Sequence, residues 1–434
     1  MARPRANGQR WYRAYLPNGM AGGATSPLIP LYTARLGGSV ADVGIVAAAS
    51  SISSVPAFLL WGALSDRLHR RKAFLLLGFL GLAVSLLAMA FAGNIPQLYL
   101  ANLLMGFLSA ASAPVGAVLV MESARKEDWP SRLAAFSRMG GIGWILGLAL
   151  GAAWLSGGIP LAGADAMRSL LVVAAGLALL SAVLAWRWVD EPHGTLDRVH
   201  FRDVVDVHWR IERLRFLPSR LVHYIDVRNH GDGLSTGLRA YLIAAFLLFS
   251  GFTAFYAFFP IFLADAARLS NAQIFLVYIA SQTASATAYA RVGRWVRDRG
   301  SRRMQGYAAA GRAVLFPTFF LVPLLPLGPA GLFLAILALH AMVGLCWAVI
   351  NVSGAVLTSQ LAAAETRGKA LGAYNAFQGF GAIAGPLLGG FAAHLGGYAA
   401  GFVLASAFVV AGVAALGFVR TEDESVAPAA RAAA

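Results

Sequence analysis

GALSDRLHRRK at residues 62–72 runs directly into AFLLLGFLGLAVSLLAMAFA at 73–92. The second segment holds twenty residues without a charge, the length at which an α-helix crosses a hydrocarbon layer of ~30 Å. The first packs Asp66 and four basic residues, Arg67, Arg70, Arg71 and Lys72, into seven positions. An uncharged run bounded by a short basic turn is the pattern of a membrane helix whose loop stays on the cytoplasmic side.

The same reading extends over the whole chain. Spans are expected near 14–34, 42–62, 73–92, 96–121, 133–156 and 167–189, and again near 238–263, 271–293, 304–325, 329–357, 370–393 and 398–419. Composition agrees: of 434 residues, 58% are hydrophobic and 13% charged, where soluble domains carry about 25% charge. That excludes an ordinary soluble enzyme, a disordered chain and a disulfide scaffold. Cys346 is the single cysteine, so no intramolecular disulfide or cysteine-based metal motif forms. The expected fold class is therefore all-α and integral to the membrane, with twelve spans in two groups of six. The parts are an N-terminal bundle (1–189), a central cytoplasmic loop (190–237), a C-terminal bundle (238–420) and a tail (421–434).

The net charge of +15 is a topological signal rather than a sign of nucleic acid. With the N-terminus inside, the inner segments hold 31 of the 35 Lys and Arg, and the outer loops hold only Arg35, Arg168 and Arg268. Arg312 falls within a span. Both termini are thus expected in the cytoplasm. The basic N-terminus followed by an apolar run invites comparison with a signal peptide. The run is longer than such a region, contains Pro17, Pro27 and Pro30, and leads at once into another span, so it reads as an uncleaved first helix. In the central loop, Val204, Val207, Ile211 and Leu214 recur at helical spacing, the pattern of an amphipathic surface helix; a solvated linker is the equal alternative.

The halves repeat. Pro30-Leu31-Tyr32 matches Pro260-Ile261-Phe262; Ser39 to Asp42 matches Ser270 to Gln273; Asp66-Arg67 with Arg70-Arg71 matches Asp298-Arg299 with Arg302-Arg303. Gly143, Gly147 and Gly151 match Gly381, Gly385 and Gly389 at an offset of 238. An even number of spans per half makes the repeat parallel, a known transporter design.

The loop at 62–72 resembles the signature of the major facilitator superfamily: Gly62, three residues, Asp66, the basic Arg67, then Arg70 and Arg71, with His69 where the family has a second Gly. The copy at 294–303 keeps Asp298, Arg299, Arg302 and Arg303 but begins with Arg294 instead of Gly. The resemblance covers essentially the whole chain. It implies two six-helix bundles rocking about a central site, with the two loops as a latch that closes the cytoplasmic side. A positive-inside anchor with a helix-capping Asp is the plainer account, and both can hold. The glycines of the fifth and eleventh spans read Gly-x-x-x-Gly, a helix-packing pattern. They are somewhat similar to the fifth-span motif of drug antiporters, although Leu148 occupies the usual Pro position. In the fourth span, Asn102 and Gly106 stand where many proton-coupled members carry Arg and Gly.

All 20 acidic residues fall in loops or at span ends, which argues against an acidic proton relay, leaving Glu122 near the end of the fourth span. The polar and aromatic residues expected to line a substrate cavity are Asn102, Trp144, Phe252, Tyr256, Gln282, His340, Asn351, Asn375 and Gln378. Phe249, Phe252, Tyr256 and Phe259 share one face of the seventh span, and His340 is the titratable group at depth, with Trp347 further along its span. The functional expectation is a monomeric transporter in the cytoplasmic membrane, with the lipid bilayer and a small organic solute as its partners. No cofactor, metal or nucleic acid is called for. Efflux of amphipathic compounds is the leading reading; a sugar or metabolite facilitator, and a non-transporting sensor on the same scaffold, are the alternatives. An integral-membrane enzyme ranks last, because the eight histidines are scattered.

Overall fold

The computed structural model describes residues 10–68, 70–123, 125, 128–157, 160–190, 235–363 and 366–419. The surface helix expected within 201–216 lies outside them. Among the described residues every regular element is helical. In lipid this is forced, since a helix satisfies its backbone N–H and C=O groups within itself.

The α-helices are α1 (Tyr15–Thr25), α2 (Leu28–Arg35), α3 (Val40–Leu68), α4 (Arg71–Ala90), α5 (Ile95–Ser109), α6 (Ser112–Glu122), α7 (Trp129–Trp154) and α8 (Gly163–Trp188). There follow α9 (Thr236–Asp265), α10 (Asn271–Arg299), α11 (Ser301–Leu321), α12 (Pro329–Gln360) and α13 (Arg367–Gly417). Eight of these contain a stretch long and apolar enough to cross a bilayer. The remaining crossings are composite or polar. Helices α1 and α2 form one passage broken at Ser26-Pro27, and α5 and α6 form one broken at Ala110-Ala111. Helix α13 has 51 residues, about 77 Å at 1.5 Å per residue, far more than one bilayer. It divides at Gly397, whose φ of 74° leaves the helical region, so it makes two passages. Helix α10 is long enough but more polar, with Gln273, Ser281, Gln282, Thr283, Ser285 and Thr287 along it. Thr287 returns its hydroxyl proton to the carbonyls of Thr283 and Ala284, each at 3.0 Å. The described residues thus make twelve passages, as the sequence led us to expect.

The chain divides into two compact units, Met1–Val199 with Ala257–Ile279, and His200–Tyr256 with Ala280–Ala434. In the first, α1 packs on α7 and α8, α3 on α5, and α4 on α5 and α8. A Cβ added at Gly143 would run into the Leu16 carbonyl oxygen, and one at Gly147 into that of Met20. From the other side, a Cβ at Gly19 would lie 2.5 Å from the Gly140 oxygen. The glycines therefore bring the backbones of α1 and α7 into direct contact. In the second unit a Cβ at Gly381 would lie 2.9 Å from the Phe246 oxygen, and one at Gly389 would lie 2.6 Å from the Ala254 oxygen. The eleventh passage meets the seventh as the fifth meets the first. The Gly-x-x-x-Gly pattern is a packing device.

The correspondence continues at the same offset. Gly106 faces the backbone of Ser50, and Gly344, 238 residues later, faces that of Ser281. Gly116 faces Tyr15 and Phe136, while Gly354 faces Tyr241 and Tyr374. Helix starts repeat as well. Ser39 donates its N–H to Asp42 Oδ2 at 2.8 Å, and Asp42 N–H returns to Ser39 Oγ at 3.2 Å. Ser270 and Gln273 form the same reciprocal pair at 2.9 and 3.3 Å. Both are capping boxes that satisfy otherwise orphaned N–H groups.

These contacts predict an asymmetry between neighbouring glycines. Gly147→Ala should lower the thermal midpoint of the purified protein, by about 1–3 kcal/mol in stability, because the backbone it meets cannot retreat. Gly141→Ala, with nothing within 4 Å, should leave the midpoint unchanged or raise it. Equal behaviour of the two would remove the close-packing assignment.

Candidate functional site

The expected site residues are found in both units. Of the loop residues, Gly62 lies on α3 with open space around it, Asp66 sits on the last turn of α3, and Arg67 and Arg70 are exposed. Arg71 is bound instead to the end of the fourth passage. Its Nη2 lies 3.0 Å from Glu122 Oε1, and its Nη1 donates to Ser65 Oγ at 2.9 Å. In the second copy, Asp298, Arg299 and Arg303 are exposed, while Arg302 donates from Nη1 to the Val419 carbonyl at 2.7 Å. A cation on the last carbonyls of α13 complements the negative end of that helix.

Among the expected cavity residues, Asn102 is buried and spends its amide on its own helix, Nδ2 to the Leu98 carbonyl at 2.9 Å. Trp144 lies against Gly22 and Gly23, so in its unit it fills the seam between α1 and α7. Asn351 is exposed and donates to Tyr289 Oη at 2.9 Å. Gln282 and Gln378 are half-buried and Asn375 is exposed.

Phe252, Tyr256 and His340 converge inside the second unit, around a residue to which the sequence reading gave no role. Arg312 lies in the middle of α11 and is only 1% exposed. Its guanidinium carbon stands 4.5 Å from the Phe252 ring centre and 5.2 Å from that of Trp347, so aromatic rings on two helices lie against the cation. Nη2 donates to the Val343 carbonyl at 3.2 Å. Nε and Nη1 have no hydrogen-bond partner among the described residues, and no ion pair described there includes Arg312. Tyr256 Oη and His340 Nε2 lie 3.2 Å apart, and His340 also meets the edge of Phe319, centroids 6.1 Å apart.

Helical spacing explains the convergence. On α9, Phe249, Phe252 and Tyr256 recur every three or four residues, as do His340, Val343 and Trp347 on α12 and Arg312, Phe316 and Phe319 on α11. Residues at that spacing share one face. Phe255 stacks on Phe316 with centroids 4.1 Å apart and planes 11° from parallel, which fixes α9 against α11. Phe249 meets Trp347 edge-on at 6.0 Å. Phe252, His340 and Arg312 are buried, whereas Phe249, Tyr256 and Trp347 are half-buried and form the more open side of the cluster. One signal for Arg312 was available in the sequence: it is the one basic residue not assigned to a loop or a span end, and an ionisable group at membrane depth is a functional candidate by default. A second buried polar group, Gln305, also escaped notice. Its Oε1 accepts from Tyr241 Oη at 2.9 Å, and Tyr241 stacks on Tyr374 at 5.5 Å.

Chemically the cluster offers a desolvated cation with free donors, aromatic walls, and a phenol–imidazole pair at one side. It holds no carboxylate. Among the described residues no group of His, Cys, Asp and Glu is arranged to hold a metal ion.

Comparison with known proteins places these features. The family model described as Major Facilitator Superfamily matches residues 13–337 and 313–434. The multidrug resistance protein MdtG of Salmonella paratyphi C is 29% identical over 204 residues, 45% of this chain and 48% of that protein. The match spans about half the length of the curated relatives. Among solved structures, a variant of the nucleoside transporter NupG superposes with a TM-score of 0.75 at 14% identity, covering 95% of this chain and 99% of that one. A POT family transporter crystallised with a thioalcohol-conjugated peptide does so with a TM-score of 0.71 at 12% identity, covering 95% and 96%. At such identities the likeness concerns the fold.

The cage around Arg312 makes a prediction about stability. An unpaired buried charge is costly, so Arg312→Met should unfold at a temperature no lower than the wild type. Phe252→Leu should cost about 0.5–2 kcal/mol more with Arg312 present than in the Arg312→Met background, the share due to the cation–π contact. A double-mutant cycle by thermal unfolding measures that difference. Purely additive effects would mean that the ring and the guanidinium do not interact.

Proposed function

The chain belongs to the Major Facilitator Superfamily and is a multi-pass membrane protein, and on that premise we propose that it is a secondary transporter moving a small organic solute by alternating access. The observation that carries this reading is the repeated backbone packing, first passage on fifth and seventh on eleventh, through glycines 238 residues apart. Two bundles of the same internal construction suit a mechanism in which each moves as a rigid body. No phosphate-binding Gly-x-x-x-x-Gly-Lys-Ser/Thr motif occurs in the sequence, so the driving force is taken to be a solute or ion gradient rather than nucleotide hydrolysis by this chain.

Efflux of amphipathic compounds across the bacterial inner membrane is the finer reading. It is supported by the partial likeness to MdtG and by the aromatic, carboxylate-free interior around Arg312. A metabolite facilitator is the second reading, supported by the fold shared with a nucleoside transporter. We place both termini in the cytoplasm on the distribution of Lys and Arg, and assign the loops at 62–72 and 294–303 to the latch that closes that side.

Proteoliposomes with the purified protein, assayed for movement of ethidium and 2-naphthol down a gradient, test the transport reading. Protein-dependent, saturable flux is expected; no flux of these, of 2-naphthoate or of a nucleoside panel would sink it. Asp66→Asn should slow flux severalfold, the effect of a ~1 kcal/mol bias on a two-state equilibrium, with the unfolding temperature unchanged. A wild-type rate in that variant would remove the latch.

A further inference from the structure

We infer that Arg312 is the receptor for an organic anion, a small aromatic carboxylate, held between Phe252 and Trp347 with Tyr256 and His340 beside it. The inference rests on the transport reading above and names a substrate class for it.

The argument begins with charge. A guanidinium at mid-depth and 1% exposed is far from water, and burying a charge without a counter-charge is strongly unfavourable. In known membrane proteins such groups pair with one another or face a pathway. Here no helix of the C-terminal half supplies the counter-charge. Helices α11, α12 and α13 contain no Asp or Glu, and on α9 and α10 the acidic residues Asp265 and Asp298 stand at the helix ends. Asp265 lies thirteen residues beyond Phe252, about 20 Å along the axis.

Hydrogen bonding points the same way. The Val343 carbonyl takes one proton from Nη2, and Nε and Nη1 remain without an acceptor among the described residues. A guanidinium is built to receive a planar two-oxygen acceptor through adjacent N–H groups.

The walls select the rest of the ligand. Phe249, Phe252, Phe316, Phe319 and Trp347 surround the cluster, and such surfaces favour an aromatic or apolar body over a strongly hydrated inorganic ion. Phe249, Tyr256 and Trp347 are half-buried, so the ligand's ring belongs on that side and its carboxylate against Arg312. The Tyr256 hydroxyl, now shared with His340, is a second donor for the same oxygens. A bound anion would also neutralise the buried charge, so occupancy should stabilise the fold markedly.

The test is thermal unfolding of the full-length purified protein with three probes: 2-naphthoate, the neutral isostere 2-naphthamide, and inorganic phosphate. Ligand binding to the native state raises the midpoint. A saturable rise with 2-naphthoate, absent with the other two, is expected. In Arg312→Met the affinity for 2-naphthoate should fall about ten- to hundredfold, the loss typical of a charged hydrogen-bonded contact, and Arg312→Lys should fall between it and wild type. Should Arg312→Met fail to fold, Tyr256→Phe and the wild-type probe series decide. An equal rise with 2-naphthamide, or full 2-naphthoate affinity in Arg312→Met, overturns the inference, and a rise with phosphate alone replaces it by an inorganic-anion site. If ethidium or 2-naphthol moves through proteoliposomes while 2-naphthoate does not bind, transport stands and the anion site falls. If 2-naphthoate binds but no solute moves, the reverse holds.

Discussion

Helices in a bilayer gain little by burying leucines against each other, because lipid chains are as apolar as the leucines they would replace. Association then depends on how closely two backbones approach, and in this chain the approach is set by missing side chains. Gly143 and Gly147 lie on the carbonyls of Leu16 and Met20, and Gly381, Gly385 and Gly389 lie along Phe246 to Ala254. The two seams carry the same kind of contact in the two halves of the repeat. Each bundle is held by contacts that act over short distances and tolerate no added carbon, which makes it rigid.

Against that background the Arg312 cluster is an anomaly of a useful kind. Much of the rest of the depth is apolar, or polar with hydroxyls returned to the backbone, as in Thr253, whose Oγ1 donates to the Phe249 carbonyl at 2.7 Å, or Ser353, which does the same to Val349 at 2.6 Å, or uncharged and hydrogen-bonded, as in Gln305 with Tyr241. Arg312 differs in carrying a charge. Aromatic rings offset part of its desolvation, a single carbonyl takes one proton, and the charge stays unbalanced. Stability alone would favour methionine there. A cation retained in such surroundings points to a counter-ion that arrives from outside.

The basic loops show a different logic in each half. Arg71 is joined to Glu122 on the neighbouring passage, with side chains 12% and 37% exposed, an arrangement of modest energy that ties the start of α4 to the end of α6. Arg302 caps the end of α13 through main-chain carbonyls. The two loops thus use different positions of the repeat and different partners, Arg71 a carboxylate and Arg302, the counterpart of Arg70, a helix terminus.

Run length and charge placement alone determine the twelve passages and their two groups, because the bilayer demands ~20 apolar residues per crossing wherever they occur. The repeat was legible too, since glycine spacing and helix-start motifs survive as letters: Ser39 with Asp42 and Ser270 with Gln273 can be read before any coordinates exist. Periodicity also put Phe252 and Tyr256 on one face of their helix. It said nothing about which face of another helix they would meet, so Asn102, Trp144, Asn351 and Asn375 entered the expected cavity on polarity or aromaticity alone. Tertiary packing decided that Phe252, Tyr256, His340 and Trp347, from two helices, enclose an arginine from a third. No single-helix pattern encodes such a meeting, because the relative rotation of three helices is set by contacts between them, and it is this rotation that turns a lone basic residue inside a span into a caged cation.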